Sequence, residues 1–175
     1  MQPPTSGIPI PASVFAHLRA AFAGTTSHER VVATLREAGF AAGESVSERL
    51  RMDGAVLGQG SREFWVRLSD FFAEAGWGRF EHTTPHAGVG MLSSEDWGEV
   101  AAGDPRPDAS CAFTTGLLSR ILSEAAAAPV AVLEIECRSR GDARCAFAFG
   151  SAATLERLYG HLVEADALDQ ALARL

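Results

Sequence analysis

Val14, Leu18 and Phe22 recur at helical spacing and predict a helix over 13–23. Ahead of it, residues 1–11 carry Pro3, Pro4, Pro9 and Pro11 and read as an extended lead-in. Thr25, Thr26 and Ser27 are candidate caps for a second apolar-periodic stretch, 28–50, with Val31, Val32, Leu35 and Phe40. The small residues Ala38, Gly39, Ala41, Ala42 and Gly43 interrupt it. They make it either one long helix that lets another backbone come close, or two helices joined near Gly43. Gly54, Gly58 and Gly60 mark a loop over 53–60. Phe64, Leu68, Phe71 and Phe72 then line one face of a helix over 61–72, with Trp65 beside them and Gly76 at its C-terminal end.

The pattern then changes to strands over 78–82 and 88–92, with a turn at 85–88. A loop at 103–108 leads into a helix over 110–126, with Asp108 and Ser110 as candidate caps and Phe113, Leu117, Leu118, Ile121 and Leu122 as its apolar face. Pro129 ends that helix. Strands over 130–137 and 143–149 follow, joined through Gly141 as a hairpin. Ser151 caps a helix over 152–162, and a short one over 165–174 closes the chain. Adjacent strands flanked by helices predict an α+β fold, an antiparallel sheet of about four strands packed against several helices, with 12–175 as one domain.

The 175 residues are 47% hydrophobic and 21% charged, enough apolar content for a real core. All 15 basic residues are Arg, and the net charge is −7. Scattered Arg on an acidic chain gives no nucleic-acid footprint. The absence of Lys removes Schiff-base chemistry and the phosphate-binding Lys loop. No apolar run approaches the ~20 residues of a membrane span. Met1-Gln2-Pro3-Pro4 lacks the features of a secretory leader, so the expected location is cytoplasmic.

The three cysteines, an odd number, cannot close a set of intrachain disulfides. In a hairpin centred near Gly141, Cys137 and Cys145 lie opposite each other, with Cβ atoms ~4.5–5.5 Å apart, close enough to share one ion. Cys111, at the start of the preceding helix, can swing toward the same face. Glu134, Glu136 and Asp142 are candidate oxygen ligands. Strict alternation puts neither glutamate on the Cys137 face, so a β-bulge or strong twist is required. The competing interpretation is three small buried hydrophobes.

Ser110-Cys111-Ala112-Phe113-Thr114-Thr115-Gly116, Leu133-Glu134-Ile135-Glu136-Cys137-Arg138 and Gly141-Asp142-Ala143-Arg144-Cys145-Ala146-Phe147 resemble the vinyl-4-reductase domain family, as does Glu37-Ala38-Gly39-Phe40-Ala41-Ala42-Gly43-Glu44. These are small-molecule-binding domains related in fold to the vesicle-tethering subunits of the transport-particle complex. The resemblance implies zinc held by Cys111, Glu134, Cys137 and Cys145. Such a closed shell is structural, because a catalytic zinc keeps an open position. It also implies a ligand cavity between helices and sheet, for which the candidates are Phe64, Leu68, Leu92, Thr115, Leu118, Ile121 and Val132. Sensory relatives hold a phenolic hydroxyl with a His and a Trp. Under a loose alignment those places fall near Phe64 and Leu92, both apolar, which points to a more apolar or larger ligand. His82, His86, Trp77 and Trp97 are candidates for the rim.

No dinucleotide fingerprint or nucleophile elbow is present. The expected function is therefore a zinc-containing sensor or carrier for a hydrophobic or aromatic small molecule rather than an enzyme. Apolar faces at 13–23 and 152–174 offer a homodimer surface. The alternatives are an auxiliary protein or reductase in tetrapyrrole vinyl reduction, using a donor supplied by a partner, and an interaction scaffold without ligand.

Overall fold

The computed structural model describes residues 13–22, 24–52, 61–100, 111–164 and 167–175. The lead-in at 1–11, the loops at 53–60 and 103–108, and the expected caps Asp108 and Ser110 lie outside them. The elements run α1 (Ser13–Phe22), α2 (His28–Met52), α3 (Arg62–Glu74), β1 (Glu81–His86), β2 (Val89–Ser94), α4 (Ala112–Ala126), β3 (Ala131–Glu136), β4 (Cys145–Gly150), α5 (Ala152–Glu164) and α6 (Leu168–Leu172). A single 3-10 turn, Arg138–Arg140, joins β3 to β4.

The four strands form one antiparallel sheet in the order β1-β2-β4-β3, the α+β architecture the sequence predicts. Alternation along the strands divides the apolar side chains between two faces. Leu92 and Phe147 face a core shared with Phe64, Leu68 and Phe72 of α3 and with Leu117, Leu118, Ile121 and Leu122 of α4. Val89 and Ala148 face the other way, with Leu133 and Ile135, onto Leu155, Leu158, Ala171 and Leu172 of α5 and α6. No helix among the described residues is long and apolar enough to cross a membrane.

The small residues of α2 mark a helix crossing, not a break: α2 is continuous through Gly43. A Cβ on Gly39 would stand 2.0 Å from the Phe113 carbonyl oxygen, and one on Gly116 of α4 would stand 1.9 Å from that of Arg36. Only hydrogen-bearing Cα atoms fit between these backbones.

The first hairpin lies further along the chain than the pattern suggests. Gly78 has φ +109°, and the Arg79 amide donates to Asp96 Oδ1 at 2.9 Å, so 78–79 are tied to the segment after β2 rather than to the sheet. Pro85, expected in a turn, lies within β1. That strand is at the sheet edge, where a missing N–H is tolerated, and its pairing slips between Thr83 and His86.

Candidate functional site

Four acidic groups from three stretches of chain meet beneath the N-terminus of α4. The thiols of Cys111, Cys137 and Cys145 and a carboxylate oxygen of Glu134 all lie within 4.8 Å of one another. The three cysteines are fully buried. Glu134 arrives there through an irregularity in β3. Glu134 pairs with Phe147, but Glu136 pairs with Ala146, so the register slips by one residue between them. This bulge puts Glu134 on the face that carries Cys137 and Cys145.

The other two candidate oxygens are engaged elsewhere. Glu136 receives a hydrogen bond from Arg144 Nε at 2.7 Å. Asp142 accepts the Cys137 amide at 2.7 Å and Arg140 Nη2 at 2.8 Å, shaping the turn that Gly141 closes at φ +101°.

Glu134 is held by one oxygen only. Its Oε2 accepts the Cys111 amide at 2.9 Å, while Oε1 is buried with no hydrogen-bond partner among the described residues. The Cys111 and Cys145 sulfurs are 3.7 Å apart. Two thiolates ~2.3 Å from one ion at a tetrahedral angle would be separated by ~3.8 Å. Donor types, spacing and the unpaired oxygen all fit a divalent ion with sulfur affinity.

The cluster cannot be fully ionised without such an ion. Burial pushes the Cys111 thiol up and the Glu134 carboxyl up to about 9. Hydrogen bonds from Cys111 and Cys145 hold Cys137 well below the usual thiol range. Cys145 gains from a hydrogen bond with Cys111, but the Cys137 thiolate and burial carry it up to about 12. One thiolate among protonated neighbours is the state burial imposes on the cluster, and a cation bound there would have to displace those protons.

Glu99 caps the same helix end from the opposite side. Its carboxylate accepts the amides of Phe113 at 3.0 Å and Thr114 at 2.8 Å and the Thr114 hydroxyl at 2.5 Å. Trp97 Nε1 donates to Thr114 Oγ1 at 2.8 Å. Arg19 Nη1 of α1 stands 3.5 Å from Glu99 Oε1, and Nη2 donates to the Glu99 carbonyl at 3.0 Å. Glu99 and Trp97 are fully buried, so Trp97 is part of the core, not of a rim. Nothing in the local sequence pattern marks Glu99. It follows a run with no clear element, and only a helix start in need of acceptors could have drawn attention to it.

Burial pushes the Glu99 carboxyl from 4.5 up to about 7, against the hydrogen bonds from Thr114 and the charge of Arg19. The folded state therefore holds a proton that the unfolded chain releases. The contribution of Glu99 to stability is fully present below pH 4.5 and is lost as pH rises to about 7. At 1.36 kcal/mol per unit, the loss is roughly 2–3 kcal/mol. Urea unfolding of wild type and E99Q across pH 4.5–7 should show the wild type losing that much relative to the variant; parallel curves would refute it.

Phe64, Leu68, Leu92, Leu118 and Ile121 form one buried group, with Val132 packed against it. Thr115 is placed differently. Its hydroxyl donates to the Ala112 carbonyl at 2.8 Å and accepts Arg36 Nε at 3.4 Å, so it faces α2. Beside the core, Trp65 and His82 stack with ring centroids 3.8 Å apart, and Phe149 lies 5.5 Å from Trp65. Burial lowers the His82 pKa. Trp65 Nε1 is buried with no partner among the described residues. Trp65 and His82 line a depression of about 410 Å³ between α3 and β1. Trp77 packs against Phe15 and Phe113, and His86 Nδ1 accepts the Gly88 amide at the hairpin turn.

A four-stranded antiparallel sheet between helical layers, with a cluster of three cysteines and a glutamate at one helix start that could hold a metal ion, defines an α+β domain. Residues 96–151 match the family model of the vinyl-4-reductase domain. That span contains all four cluster residues, and it is the family that the cysteine-bearing segments resemble. No curated protein matches the chain in sequence.

Solved structures that share its fold include the following three. The phenol-responsive sensory domain of the transcription activator PoxR, with phenol, is 18% identical with a TM-score of 0.68, over 94% of this chain and 84% of that one. A vinyl-4-reductase family protein from Methanocaldococcus jannaschii is 18% identical with a TM-score of 0.53, over 82% and 83%. A trafficking protein particle complex subunit 3 from Naegleria fowleri, covalently bound to palmitic acid, is 12% identical with a TM-score of 0.61, over 79% and 91%.

Proposed function

We propose that this chain is a sensory or carrier domain for a small, largely apolar molecule, braced by a structural zinc on Cys111, Glu134, Cys137 and Cys145. The observation that carries this reading is the convergence of three buried thiols on a carboxylate whose Oε1 has no partner among the described residues. The family match over 96–151 and the fold shared with a phenol-responsive domain support the small-molecule part. Zinc supplies no chemistry in a closed shell of this kind. It ties the start of α4 to the β3–β4 hairpin.

Ligand binding falls to the helix–sheet core around Phe64, Leu68, Leu92, Leu118, Ile121 and Val132. Beside that core, the Trp65 indole N–H has no acceptor among the described residues, so a ligand that extends into the depression lined by Trp65 and His82 would carry an oxygen as well as apolar bulk. A homodimer in the cytoplasm would pass the signal on.

Native mass spectrometry with metal analysis, on protein purified without added zinc, tests the reading. One zinc per chain is the expected result, together with a rise in melting temperature in the presence of an aromatic alcohol. Folded protein free of metal would overturn the zinc assignment. Indifference to every apolar alcohol offered would favour a scaffold.

A further inference from the structure

The start of α4 is gripped from two sides, and only one grip belongs to the metal cluster. On the sheet side, Glu134 Oε2 accepts the Cys111 amide. On the far side, Glu99 accepts the amides of Phe113 and Thr114, two and three residues further on. These contacts fix the rotation and height of the first turn, and so the direction of the Cys111 side chain.

Glu99 is in turn held by α1. That helix buries Phe15, which packs on Phe113 at 4.7 Å and on Trp77 at 5.5 Å, and it sends Arg19 to both the carboxylate and the carbonyl of Glu99. Leu18 and Phe22, on the same short helix, remain exposed. Its seat on the described residues is thus centred on Phe15 and Arg19, against the turn that follows Cys111.

We infer that Glu99 is a positioning residue for the metal centre and that, through Arg19, it makes the docking of α1 and the occupancy of that centre depend on each other. This rests on the metal reading above. Coupling is reciprocal: if docked α1 tightens metal binding, bound metal tightens the docking of α1 by the same factor. The helix thereby carries the state of the cluster to the molecular surface, where Leu18 and Phe22 lie.

The test uses the full chain at pH 8, with zinc as the probe. Release of zinc to a colorimetric chelator is timed for wild type, R19Q and R19K, and amide exchange over 13–22 is followed with and without zinc. Exchange over 152–164, on the opposite face of the sheet, is the internal reference. R19Q should release zinc about five- to tenfold faster, within the range typical of coupled sites. R19K, which keeps the charge, should recover part of the difference. Removing zinc from the wild type should speed exchange in α1 by a similar factor while α5 stays unchanged.

With cobalt in place of zinc, R19Q should alter the thiolate-to-cobalt absorption, a change that simple loss of stability would not produce. Equal zinc release from wild type and R19Q overturns the inference, as does α1 exchange indifferent to zinc in a chain shown to bind it. Should R19Q fail to fold, the wild-type exchange comparison decides alone. A chain that takes up no zinc overturns the metal reading first, and this inference with it.

Discussion

Replacing Cys137 with Ser is expected to abolish metal uptake and to lower stability by about 4 kcal/mol in the presence of zinc. Cys137 is the hub of the cluster: Cys111 and Cys145 hydrogen-bond to it, and Ser139 Oγ lies 3.0 Å from its sulfur. A serine hydroxyl stays protonated and is a poor zinc ligand, so the closed shell loses a member. An ion present at a thousand times its dissociation constant stabilises the folded state by ~4 kcal/mol, and that contribution disappears. For a chain of this length the melting point should fall by roughly 10–15 °C, at ~2–4 °C per kcal/mol. Differential scanning calorimetry with metal analysis reads both effects. A chelator should destabilise the wild type by a similar amount and leave C137S unaffected, since both act on the same interaction. A C137S protein that keeps one zinc and its melting point would show that the thiols are ordinary core residues.

Much of this cluster is legible in the sequence. The hairpin centred on Gly141 opposes Cys137 to Cys145, and helical periodicity puts Cys111 at the start of the helix that precedes it. What alternation could not supply was Glu134, because period-2 reasoning assumes an unbroken ladder. The bulge that turns Glu134 inward is set by the Asp142 and Arg140 contacts around the turn, including Arg140 Nη2 on the Ile135 carbonyl at 2.7 Å. Those are contacts among polar residues that a hydrophobic pattern leaves unweighted.

Glu99 was hidden for a related reason. A lone acid in a segment without periodicity reads as solvated, and only the tertiary placement of α4 makes it a buried cap. The apolar candidates show the converse. Phe64, Leu68, Leu118 and Ile121 are inward-facing by spacing alone and are buried together. Thr115 shares a helix with the last two, yet spacing could not tell the α2 side of α4 from the sheet side. The Trp65–His82 stack joins an α3 residue to a β1 residue, a pairing that depends on how that helix lies across the sheet edge.

The crossing of α2 and α4 supports the second large effect, that of Gly116→Ala. The added methyl would sit 1.9 Å from the Arg36 carbonyl oxygen and 2.9 Å from the Phe40 amide nitrogen. Both are backbone atoms inside a continuous helix, so no side chain can rotate away and the helices must separate. Overpacking in cores costs ~1–3 kcal/mol where side chains can yield, and more where they cannot. A loss of about 3–5 kcal/mol is expected here in urea unfolding. The contrast is Gly160→Ala in α5, where nothing among the described residues stands within 4 Å of the new methyl and the better helix propensity should add ~0.5–1 kcal/mol. The two substitutions are chemically identical and both lie within helices, so opposite signs isolate the close approach as the cause. Separation of α4 from α2 would also carry Cys111 away from the hairpin, because it immediately precedes that helix. G116A should therefore bind zinc more weakly than G160A even where both are folded, whereas equal stability and equal affinity would mean that the two backbones are not in contact.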